Sequence, residues 1–148
     1  MTIAVDFDGT IVEDRYPEIG EERAFATDTL RMLLKDRHRL ILWTVREGAA
    51  LEEALQWCHE RGVDFYAVNR DYPEETMANN QHFSRKIKAD VFIDDRNIGG
   101  LPDWGTIYRM ISHHKKWYHL IAEAERNGSS SFYDDSNVKK KKKHWWQF

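Results

Sequence analysis

Cysteine is nearly missing from this chain. Cys58 stands alone, which excludes an intramolecular disulfide framework and fits a reducing compartment. Proline is held to three residues, as suits a globular composition rather than an extended one. No apolar run approaches the roughly 20 residues that a membrane-spanning helix needs, and no charged, apolar and small-residue leader opens the chain. The expectation is a soluble cytoplasmic protein. Net positive charge is confined to one place. Lys139 to Lys143 form a single run, and subtracting its five charges from the net −3 leaves −8 for the rest. An acidic body argues against duplex DNA as a partner, because such binders present a basic face. Phosphorylated small molecules stay open if a divalent cation mediates.

What is present is a 148-residue chain, enough for one domain with a hydrophobic core. Short apolar runs recur: Ile3-Ala4-Val5 into Asp6, Leu40-Ile41-Leu42-Trp43 into Thr44, Phe65-Tyr66-Ala67-Val68 into Asn69, and Val91-Phe92-Ile93 into Asp94. Unbroken runs of this kind predict strands buried on both faces, as in a parallel sheet. Between them lie helical patterns. One carries Phe25, Leu30, Leu33 and Leu34, with Lys35, Arg37 and His38 near its end. A second carries Leu51, Leu55 and Cys58 and stops at Gly62. Cys58 on that stripe reads as a core thiol. A single last helix is expected over about Trp104 to Glu125. The order predicts an α/β fold, a Rossmann-like three-layer sandwich with a mainly parallel sheet. Residues 1–126 form the expected folded domain, and residues 127–148, with their polylysine run, a flexible tail.

In such sheets ligands bind at the carboxyl ends of the strands, where Asp6, Asp8, Thr44, Asp94 and Asp95 all fall. Converging carboxylates need compensation. A hard divalent cation supplies it, and Mg²⁺ takes one or two carboxylates with water and phosphate oxygens. Asp6 is then a candidate nucleophile, since carboxylates form aspartyl phosphates. Gly9 permits a tight turn whose N–H groups, with those of Thr10, are expected to cradle anionic oxygens.

The motifs VDFDGT, LILWTVREG and SRKIKADVFIDDRN resemble, in order, the four signatures of the haloacid dehalogenase (HAD) superfamily, mostly Mg²⁺-dependent phosphohydrolases with a Rossmann-like core. The likeness covers about residues 1 to 100. It implies a phosphomonoesterase in which Asp6 attacks phosphorus and Asp8 acts as general acid and base. Asp6, the backbone carbonyl of Asp8, and Asp94 with or without Asp95 would hold Mg²⁺. Thr44 would donate to a phosphoryl oxygen, and Lys86 would neutralise developing charge; KIKAD resembles family members in which the earlier lysine is catalytic, so the likeness implies Lys86 ahead of Lys88. Neither gap between signatures holds a domain, so a capless member is implied, with a homo-oligomer as one way to cover the site. The alternative is a catalytically weak phosphate-binding or regulatory protein on the same scaffold.

Residues 69–84 are the candidate lid, carrying Asn69, Arg70, Asn79, Asn80 and His82. Glu13, Arg15 and Tyr16 are candidates for contact with a leaving group. Arg46 reads equally as a phosphate contact or a salt bridge, and Arg96 as structural. His113, His114 and His119 make no convincing metal set, and the Asn127-Gly128-Ser129 acceptor pattern is set aside. KKKKKHWWQF joins charge to aromatic rings and is a candidate tether to RNA, single-stranded DNA or an anionic membrane face.

Overall fold

The structure is a computed structural model that describes residues 1–80 and 86–127. Four strands, β1 (Thr2–Val5), β2 (Arg39–Leu42), β3 (Ala67–Val68) and β4 (Val91–Ile93), form one parallel sheet in the order β3-β2-β1-β4. The register sets Val5 beside both Leu42 and Ile93. All carboxyl ends therefore open onto one edge. The helices are α1 (Ala26–Lys35), α2 (Gly48–Glu60), α3 (Trp104–Ser112) and α4 (Trp117–Asn127).

Strand alternation divides the core. Ile3, Val5, Leu40 and Leu42 pack with Leu30, Leu33, Cys58 and Ile107 from the helices. Ala4, Ile41 and Ala67 face the other way, against Ile87, so the chain joining β3 to β4 covers the second face. Cys58 is fully buried on the α2 stripe, and burial pushes its thiol up to about 12. It is a core residue, as its spacing implied. The α/β expectation holds, and no separate cap domain stands among the described residues.

Helix endings explain where the sequence pattern misled. After α1, the N–H groups of Arg37 and His38 return to the carbonyls of Leu34 and Leu33; after α2, those of Gly62 and Val63 return to His59 and Cys58. The same pairing recurs after α3, from His114 to Ile111 and from Lys115 to Met110. Each is a Schellman closure with a left-handed residue at its pivot. Only one pivot, Gly62, is a glycine. His114 fills that place at φ 50° and splits the expected single helix over 104–125 in two. The predicted helical Phe25 is likewise displaced. It caps α1 from outside at φ 64° and is 70% exposed. The run from Phe65 yields a strand of two residues only, because Tyr66 is exposed and Phe65 turns to the helical side.

A bulky side chain in left-handed backbone costs about 1–2 kcal/mol. Since Phe25 buries little, Phe25→Gly is expected to raise stability by about 1 kcal/mol, read as a higher urea midpoint at unchanged slope.

Candidate active site

The turn after β1 is tight. Thr10, Ile11 and Val12 all direct their N–H groups at the Phe7 carbonyl, and the Gly9 N–H donates to the Val12 carbonyl. The N–H groups of Gly9 and Thr10 are thus spent inside the turn, which corrects their expected role as an anion cradle. They serve the site differently. Gly9 has φ 84°, and a Cβ there would lie 2.6 Å from Asp95 Oδ2, so glycine lets the backbone approach that carboxylate. Thr10 is fully buried. Its hydroxyl donates to Asp6 Oδ2 at 3.1 Å and accepts from the Asp95 N–H at 3.0 Å, which ties the ends of β1 and β4 together. The Trp104 indole N–H, donating to the Thr10 carbonyl at 3.2 Å, braces the turn from α3.

Asp6, Asp94 and Asp95 converge as the sequence implied. One carboxylate oxygen from each lies within 4.8 Å of the others. Opposite ligands of a divalent ion lie about 4–5 Å apart, from Mg²⁺ to Ca²⁺, so the span suits a hard cation. The electrostatics agree. Burial first and Asp94 second push the Asp6 carboxyl from 3.8 up to about 7; an anionic Asp6 at neutral pH calls for positive charge beside it. Asp94 is fixed by the Arg96 N–H, which donates to its Oδ1 at 2.8 Å. Arg96 contributes through its backbone here.

Asp8 stands apart from that triad. Its oxygens accept from Arg46 Nε and Nη2, both at 2.7 Å, and the two side chains are buried. The remaining guanidinium hydrogens go to the carbonyls of Pro17, Glu18 and Ala50. All five donors of Arg46 are thereby used. The hydrogen bonds that it donates to Asp8 hold the guanidinium pKa above its ordinary value. The Arg46 guanidinium also lies over the rings of Phe7 and Tyr16, 5.0 and 5.3 Å from their centroids. The even choice for Arg46 resolves toward an ion pair. Arg46 is the residue that sequence reasoning underrated: its signal was its place two residues beyond Thr44, with nothing local to name its partner.

Thr44 follows β2 on the strand next to β1. Its hydroxyl oxygen accepts from the Arg46 N–H at 3.1 Å, and its O–H donates to no acceptor among the described residues. Lys86 is exposed, with its ammonium 4.8 Å from the centre of the Phe92 ring. It makes no ion pair with Asp6, Asp94 or Asp95. Lys88 directs its backbone N–H to Asp71. Glu13 and Arg15 pair with each other at 3.2 Å, while Tyr16 covers Arg46.

The described part of the candidate lid, residues 69–80, is tied inward. Glu75 is buried. It accepts from the Asp71 N–H at 2.6 Å and from Asn80, and Arg70 donates to the carbonyls of Val68 and Glu75. His82 and the basic aromatic tail lie outside the described residues. His113, His114 and His119 are exposed and belong to no cation-holding group of described residues.

No protein-family model matches the chain, and no curated protein matches it. A solved structure does: a conserved protein from Bacteroides thetaiotaomicron, 62% identical, over 81% of this chain and 96% of that one, with a TM-score of 0.75. The chain belongs to that protein's family. This relation fixes the fold, and the activity must be argued from side chains.

Two measurements check the site's electrostatics. A carboxyl raised in the folded state binds its proton more tightly than in the unfolded chain. In chelator-treated protein, Asp6 should therefore cost stability progressively as pH rises from about 4 to about 7. At about 1.4 kcal/mol per unit, wild type should lose a few kcal/mol relative to Asp6→Asn across that window, measured by urea unfolding. Arg46→Met strands a buried carboxylate and should cost about 3–5 kcal/mol; adding Asp8→Leu should recover most of it.

Proposed function

We propose that this chain is a divalent-cation-dependent phosphohydrolase in which Asp6 takes up the phosphoryl group. The observation that carries the reading is the meeting of Asp6 with Asp94 and Asp95 within 4.8 Å, on the edge where the Thr44 O–H donates to no acceptor among the described residues. Mg²⁺ is the proposed cation, held by those three aspartates, the Asp8 carbonyl and water; when bound it neutralises negative charge on the phosphoryl oxygens.

The chain's own residues supply the remaining steps. An Asp6 oxygen forms a bond to phosphorus as the bond to the leaving oxygen breaks. Thr44 donates to an equatorial oxygen, and a lysine, with Lys86 preferred, offsets the charge there. Asp8 supplies the proton to the leaving oxygen and later removes one from the water that cleaves the aspartyl phosphate. For that, one of its two hydrogen bonds to Arg46 must open. This grip supports a second reading, a phosphate-binding protein of low turnover, because both Asp8 oxygens are engaged.

Hydrolysis of p-nitrophenyl phosphate separates the two. With Mg²⁺ present the wild type is expected to turn over, chelator to abolish the signal, and Asp6→Asn to lower kcat about a thousandfold or more. Phosphate binding without turnover would favour the second reading; equal rates for wild type and Asp6→Asn would overturn the phosphohydrolase.

A further inference from the structure

We infer that Asn69 is the positioning residue for Thr44, holding its hydroxyl at the place where a phosphoryl oxygen binds. The inference rests on the phosphohydrolase reading and adds to it a residue that reaches the substrate only through Thr44.

β2 ends at Leu42, and beyond it Trp43 still joins β1, its N–H donating to the Val5 carbonyl at 2.8 Å. Thr44, two residues past the strand, has left the regular ladder. On the opposite side β3 runs out at Val68, and Asn69 makes the last backbone rung, its N–H donating to the Leu42 carbonyl at 2.8 Å. There Asn69 turns into left-handed backbone at φ 53°, which asparagine tolerates better than most residues. The turn ends β3 and folds the side-chain amide back over β2.

The amide then makes both bonds of a strand pairing with one peptide-bearing residue. Asn69 Oδ1 accepts from the Thr44 N–H at 2.8 Å, and Asn69 Nδ2 donates to the Thr44 carbonyl at 2.9 Å. Two antiparallel bonds of this kind fix a residue's rotation as well as its position. With the Arg46 N–H held by the hydroxyl oxygen, the hydroxyl's single hydrogen meets no acceptor among the described residues and is left for an outside one. A donor fixed before the ligand arrives costs no reorganisation during reaction. Asn69 is therefore bonded inward, away from the lid role that its position in the 69–84 stretch implied.

Asn69→Gly is the informative change, since glycine keeps the left-handed backbone and the rung to Leu42 while removing the amide. Two quantities are read with Mg²⁺ present: kcat for p-nitrophenyl phosphate, and the affinity for inorganic phosphate by calorimetry. The first is expected to fall about 10- to 100-fold, while phosphate affinity and KM for the ester weaken by less than kcat and the unfolding midpoint moves little. Thr44→Val should give a loss of similar size. The double variant should be no worse than Thr44→Val within about twofold, because both changes disable one donor. Asn69→Ser, whose hydroxyl is too short to span both Thr44 groups, is the second variant and is read in the same way. Unchanged kcat and phosphate affinity in Asn69→Gly and Asn69→Ser, or losses that multiply in the double variant, overturn the role of Asn69 alone. A wild type that neither hydrolyses the ester nor binds phosphate overturns this inference and the phosphohydrolase together.

Discussion

The buried pair of Asp8 and Arg46 is the constraint around which the site is built. An isolated charge at that depth would cost several kcal/mol. Here the guanidinium spends two donors on Asp8 and three on the carbonyls of Pro17, Glu18 and Ala50. Five bonds from one side chain pin the turn after β1, the following loop and the first turn of α2 to each other. Because Arg46 lies two residues past Thr44, the same pair fixes the direction in which β2 leaves the sheet. The loops of a small site thereby gain a shared rigid base.

Two aspartates one residue apart meet opposite fates on that base. Asp8 faces a fixed cation of the protein itself. Asp6 faces two more carboxylates, and burial together with Asp94 raises its pKa to about 7. Environment, not residue type, separates the two carboxylates. Thr10 mediates between the ends of β1 and β4, accepting from the Asp95 N–H and donating to Asp6. The acidic triad is assembled by strand order, since β1 lies directly beside β4.

Strands and the acidic cluster were legible because both depend on local sequence: an apolar run of three or four residues, then a carboxylate. A parallel sheet converts that pattern into spatial convergence without further information. The helix break at His114 was hidden, since a Schellman pivot is usually advertised by glycine and this one is not. Phe25 misled for a similar reason, being apolar at helical spacing yet lying one residue outside the helix. Long-range polar partners left no trace at all. Nothing near Arg46 points to Asp8, 38 residues away, and nothing near Asn69 points to Thr44. Gly9 was read correctly as a tight turn but for the wrong use of its N–H groups; the neighbour that requires glycine, Asp95, comes from the far end of the sheet.

The strand order also governs when the site can exist. β1 holds the middle of the sheet, yet the neighbour that carries Asp94 and Asp95 is among the last strands to be made. A nascent chain emerging from the ribosome displays Asp6 and Thr44 early, while its acidic cluster stays one-third built until residue 95 is free. Assembly of the acidic cluster is therefore coupled to completion of the sheet, and a prematurely ended chain carries Asp6 without the two carboxylates that join it.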